Sequence, residues 1–196
     1  MTAQKPSPHR RVSHPRLGTP WLVCFVATLA IAGLAVGQAF TERPVGGFTQ
    51  VEAGISHTCA RRTDGTTACW GNNRARQARA PQDTFVSVAA GGMHNCGLRA
   101  DGTVKCWGSM GLDQGAVPKK ERFRQISAGW HQTCGITLDD RIVCWGGPEL
   151  KPTPPPKGRY LQVSAGFAHN CAVSCSGRID CWGGDLDSPA NVRSKP

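Results

Sequence analysis

Ten cysteines in a chain of 196 residues are the first chemistry to weigh, because thiols can bridge, bind metal or act as nucleophiles. Eight of them form four pairs at one spacing: Cys59 and Cys69, Cys96 and Cys106, Cys134 and Cys144, Cys171 and Cys181. In every pair the second Cys is followed by Trp-Gly, and a turn such as Thr63-Asp64-Gly65 lies between the two. If that loop is the three-residue kind, with Gly65 left-handed at a bulge, residue 62 pairs with 66 and Cys59 comes to lie directly opposite Cys69. The same count opposes the other three pairs. Directly opposed residues bring their Cα atoms to about 4.5–5.5 Å, within reach of a disulfide. A two-residue Asp-Gly turn would instead make each pair diagonal. Structural zinc suits ligands two to four residues apart and fits this spacing poorly; buried free thiols remain the other alternative. Cys24 and Cys175 stand outside the scheme. Cys175, in the turn Cys175-Ser176-Gly177, is the odd thiol, open to linking two chains, to an idle surface position or to pairing with Cys171.

No catalytic set accompanies the cysteines. Asp64, Asp101 and Asp139 sit in turns, where a carboxylate has a backbone role. There is no Gly-x-Ser-x-Gly, phosphate loop or paired metal motif, so neither an enzyme nor a cofactor is expected. His57, His94 and His169 recur at one position and could in principle converge on a metal. The simpler reading is a hydrogen-bonded histidine steadying each unit, and no metal site is assigned.

The elements that carry these residues are four copies of one unit, at 48–71, 85–108, 123–146 and 160–183. Their aromatic starts, Phe48, Phe85, Phe123 and Tyr160, are 37, 38 and 37 residues apart. Each unit holds Ala-Gly, then the first Cys, a turn and Cys-Trp-Gly. In the first unit, period-2 segments predict one strand from Phe48 to about Ala53, a second over His57–Arg62 and a third over Thr66–Trp70. Frequent glycine and the lack of i, i+3, i+4 apolar runs argue against helices. The fold class is all-β, a propeller-type array of four blade-like units over 40–183 that closes a small ring, stays incomplete or oligomerises, behind an N-terminal apolar helix. Unclosed outer blades expose strand edges that invite self-association.

The front of the chain reads as an export signal. Residues 1–20 are a basic n-region carrying four of the formal +10 charges, and 21–39 are apolar, ending in small residues suited to cleavage. The alternative is an uncleaved anchor, with the membrane met only through residues 21–40. Either way the repeats are expected outside the cytoplasm, secreted, periplasmic or membrane-anchored, where disulfides persist. The remaining +6 is spread along the chain, so no nucleic-acid partner is expected. Residues 184–196 read as a polar tail.

The unit A-G-x-x-H-x-C, an Asp-Gly turn, and C-W-G resembles the repeat of the regulator of chromosome condensation family, and its cysteines resemble exported bacterial members. Asn73 and Gln77 match the family's Asn and Gln positions, with Arg76 where Gly is usual. The third unit departs from the pattern: Asp140 replaces the turn glycine, and His131 lies one position early, with Gln132 in the histidine's place. The resemblance implies a β-propeller of four-stranded blades, usually seven of them. It also implies a protein-binding or scaffold role, with inhibition of a secreted or periplasmic enzyme, as by a β-lactamase inhibitor of this scaffold, or carbohydrate and cell-wall binding as alternatives.

Specificity is expected in the segments between units, 72–84, 109–122 and 147–159. Arg74, Arg76 and Arg79 in the first are candidate contacts for an acidic surface, and the third is proline-rich. Trp130 is the leading single contact candidate, an aromatic residue in a loop outside the repeated Cys-Trp-Gly. Trp70, Trp107, Trp145 and Trp182, fixed before glycine, are expected to pack between units.

Overall fold

The computed structural model describes residues 47–147 and 154–184. Residues 1–20, the 21–39 segment with Cys24, Pro148, Pro152 and the tail from 185 lie outside the described residues. Among the described residues no helix is long and apolar enough to cross a membrane.

Among the described residues, twelve strands form four separate antiparallel sheets. The first holds β1 (Phe48–Ala53), β2 (His57–Arg62) and β3 (Thr67–Gly71). The second holds β4 (Ser87–Ala90), β5 (His94–Leu98) and β6 (Val104–Gly108). The third holds β7 (Phe123–Ala128), β8 (Gln132–Thr137) and β9 (Ile142–Gly146), and the fourth β10 (Tyr160–Ala165), β11 (His169–Ser174) and β12 (Ile179–Gly183). Among the described residues each is an up-and-down meander, three strands deep rather than the four that the family resemblance implies. After the first Cys-Trp-Gly, residues 73–79 coil into successive turns, Arg76 N–H to Asn73 O and Arg79 N–H to Arg76 O, leaving no extended run there to add a strand.

The hairpin loop is the three-residue kind. Arg62 N–H bonds Thr66 O, Gly65 N–H bonds Arg62 O, and Gly65 takes φ 86°. Counting inward, hydrogen-bonded and non-hydrogen-bonded pairs alternate, so Cys59 and Cys69 meet at a non-hydrogen-bonded site, the closer of the two kinds. All four expected disulfides are present, with Cα–Cα separations of 4.0 to 4.1 Å. Asp140, without the usual glycine, still adopts φ 67° and keeps the same register. Cys175 is disulfide-bonded as well, which corrects the reading of it as an odd thiol.

The sheets stack face against face in chain order, and the bridges sit where they meet. Phe85, just ahead of the second sheet, and Trp107 within it pack with Cys59 of the first, and Phe123 and Trp145 of the third with Cys96 of the second. Tyr160 and Trp182 of the fourth pack with Cys134 of the third. A bridge therefore also serves as a compact apolar wall for the next unit's aromatic residues. The same junctions are stitched by polar groups. Gln50 Nε2 donates to Val88 O at 2.8 Å while its Oε1 accepts from Val88 N–H at 3.0 Å, and Gln125 grips Val163 the same way.

Candidate binding face

Antiparallel connectivity divides each sheet into two ends. The Asp-Gly turns lie at one. At the other lie the Ala-Gly-x-x loops between first and second strands, together with the turns that follow Cys-Trp-Gly. Asn72 N–H to Ser56 O and Ser109 N–H to Met93 O hold those two kinds of segment together.

At this second end the four Ala-Gly pairs converge. Ala53-Gly54-Ile55, Ala90-Gly91-Gly92, Ala128-Gly129-Trp130 and Ala165-Gly166-Phe167 line one concavity of about 260 Å³. Glycine is required here by crowding. A Cβ on Gly54 would lie 2.6 Å from Gly91 O, and Cβ atoms on Gly91 and Gly129 would run into the carbonyls of Gly129 and Gly166. Backbone bonds between sheets, Gly92 N–H to Gly129 O and Trp130 N–H to Gly166 O, hold this approach.

Of the residues after the four Ala-Gly pairs, Ile55, Trp130 and Phe167 carry apolar bulk, whereas Gly92 carries none. Trp130 is half-buried and meets Phe167 edge-on, ring centroids 3.9 Å apart at 73°. Ile55, Met93 and Phe167 are exposed. Trp130 thus belongs to a cluster that the sequence reading missed, since Ile55, Trp130 and Phe167 occupy one column of the repeat. Aligning the units and asking where apolar residues vary in size would have found it.

Arg74, Arg76 and Arg79 sit in the turns of the 73–79 segment at this same end, all exposed. Among the described residues none of them enters an ion pair. Arg76, where the family has glycine, takes φ 64°. Gln77 anchors the turn from within: it is fully buried, its Oε1 accepts from Ala75 N–H, and its carbonyl accepts from Asn95 Nδ2 and Trp107 Nε1.

The histidines do not converge on a point. His57 Nε2 lies 2.7 Å from Asn95 Oδ1, and because Asn95 Nδ2 donates to Gln77 O, that oxygen is an acceptor and His57 carries its proton on Nε2. His94 Nε2 lies 2.9 Å from Thr133 Oγ1 of the next sheet. The Nδ1 atoms of both are buried without a hydrogen-bond partner. Burial, with the neighbouring His131 and His57 adding to it, pushes His94 down to about 4, so it is neutral at physiological pH. Gln132 fills the equivalent place in the third sheet, donating to Gly166 O at 3.1 Å. His169, in the fourth, is exposed. Among the described residues no three His, Cys, Asp or Glu are grouped to hold a metal. The turn carboxylates are likewise in backbone work: Asp64 and Asp101 accept from the N–H of Thr66 and Thr103.

The regulator of chromosome condensation (RCC1) repeat matches residues 48–77, 85–114 and 161–187. Three of the four units are RCC1 repeats. The unit left unmatched is the third, which carries Asp140 and Gln132 in place of glycine and histidine and yet folds as the others do. Among solved structures the RCC1-repeat chain is similar to the CRINKLY WD40 ectodomain of the Arabidopsis thaliana receptor kinase ACR4. The two share 31% identity over 73% of this chain and 52% of that one, with a TM-score of 0.62. The ectodomain of the Physcomitrella patens receptor kinase CR4 is 30% identical over 70% and 39%, with a TM-score of 0.62. Yeast RCC1 (Prp20) bound to Kap60 shares the fold at 19% identity over 77% and 49%, with a TM-score of 0.64. The chain spans roughly half the length of these solved chains or less. No curated protein matches. The fold is the β-propeller kind.

Proposed function

We propose that this RCC1-repeat chain recognises a protein outside the cytoplasm, through the face where its Ala-Gly loops converge. The observation that carries this reading is the cluster of Ile55, Trp130 and Phe167, at the same end of the sheets as the exposed Arg74, Arg76 and Arg79. Exposed aromatic residues fixed on a rigid frame and flanked by arginines are the usual anchors of a protein interface. The basic turns favour an acidic partner surface. Four hairpin disulfides support an oxidising compartment, as does likeness to two receptor ectodomains. The apolar 21–39 segment would deliver the chain there, cleaved or retained as an anchor.

The test is affinity capture from the producing cell's own envelope and medium, with wild type and the Trp130→Ala/Phe167→Ala variant side by side. A protein retained by wild type and lost by the variant is the expected result. If the retained material is cell-wall glycan released by soluble sugar, or if the variant retains everything wild type does, this face is not a protein-binding site.

A further inference from the structure

The end sheets of the array carry unfilled halves of a junction that the chain itself builds three times. On the first sheet, Phe48 is 54% exposed, Val51 65% and Trp70 49%. Their equivalents at the first internal junction, Phe85, Val88 and Trp107, are exposed by only 2%, 1% and 9%. The opposite face of the fourth sheet is, among the described residues, less covered than its counterparts. Cys59, Cys96 and Cys134 are fully buried under the next sheet's aromatic residues, whereas Cys171 is not. A Cβ on Gly102 would touch Arg122 and Phe123 of the following sheet, but one on Gly177 would meet nothing within 4 Å. Among the described residues the fourth sheet makes no packing against the first comparable to that between successive sheets.

From these two faces we infer that a second copy of this chain fills them, head to tail, and that two copies close an eight-sheet ring. The inference is independent of the partner-binding reading above. The choice of occupant follows from residue-by-residue complementarity with the internal junctions. Exposed Gln162 stands where Gln50 and Gln125 stand, and Val51 stands where their partners Val88 and Val163 stand. Exposed His169 stands where His94 stands, and Thr58 stands where its partner Thr133 stands. Ser164 repeats Ser127, whose hydroxyl accepts from Ala165 N–H at 2.9 Å, and Ala53 repeats Ala165. Phe48 and Trp70 would then cover the Cys171–Cys181 bridge. Head-to-tail contacts run on as a filament unless the rotation closes. Eight blades is within the range of closed propellers.

The test measures mass in solution against concentration for the full chain with its disulfides intact, for Val51→Arg, and for Gln162→Arg. Both residues are exposed in the single chain, so each variant should keep four bridges and the wild-type near-ultraviolet dichroism. Wild type should be a dimer, and each variant should dissociate at least about tenfold more readily per junction, the size expected for a buried interface anchor. An equimolar mixture of the two variants should associate better than either alone, because the intact tail of one meets the intact head of the other. A wild-type monomer at all concentrations overturns the inference, as does association that neither variant weakens. A dimer that the mixture fails to restore points to another face and overturns it too, and an open polymer refutes the ring.

Discussion

Acid should act on this protein through one buried imidazole. His94 is fully buried in the second sheet, bonds Thr133 through Nε2 and leaves Nδ1 without a partner. Protonation would place a charge and a second donor where no acceptor waits, which is why its pKa is held down at about 4 against 6.5 when unfolded. The sign follows from linkage. Above pH 6.5 both states are neutral and the full stability is present. Between 6.5 and about 4 only the unfolded chain takes the proton, so stability falls as pH falls. At about 1.4 kcal/mol per pH unit, that window removes roughly 3 kcal/mol. Replacing His94 by Gln, the residue that fills this place at position 132, removes the titrating group and retains a side chain able to bond Thr133. Guanidinium unfolding of the oxidised chain at pH 7.0, 5.5 and 4.0 measures the difference. Wild type should lose about 3 kcal/mol more than His94→Gln over this range. Equal losses in the two proteins, or an imidazole resonance of His94 that titrates near 6.5 in the folded protein, would refute the reasoning.

Other outcomes follow from the junctions and turns. Removing the second bridge by Cys96→Ala/Cys106→Ala should cost about 2–3 kcal/mol, seen as a lower denaturant midpoint, because the bridge both restrains the unfolded chain and walls Phe123. Mass spectrometry without reductant should find the four hairpin bridges intact in wild type. Gly97→Ala should cost about 1–3 kcal/mol, although Ala60 and Ala172 occupy the same column, since its Cβ would lie 2.5 Å from Phe85 Cε1; thermal melts of the variant check this. Gln77→Ala should cost about 1–2 kcal/mol and loosen the 73–79 turn that presents the arginines, visible as faster amide exchange at Ala75 and Ala78.

The hairpins were legible because everything that defines them is local. A strand period of two, a three-residue turn and ten residues between cysteines suffice to oppose Cys59 and Cys69, and no distant part of the chain has a vote. The same locality let Asp140 do the work of a turn glycine without disturbing the register of its hairpin. What the neighbours decide was not legible. Phe48 and Phe85 hold one repeat position, yet one lies in solvent and the other in the core, because only Phe85 has a preceding sheet against it. Trp70 and Trp107 part in the same way. His57 and His94 find their partners 38 and 39 residues on, across a junction that depends on sheets facing one another. Ile55, Trp130 and Phe167 became one cluster only when three loops, far apart along the chain, were brought to a common end. Local backbone chemistry sets each unit; burial and charge, which depend on what the next unit covers, are set by the assembly.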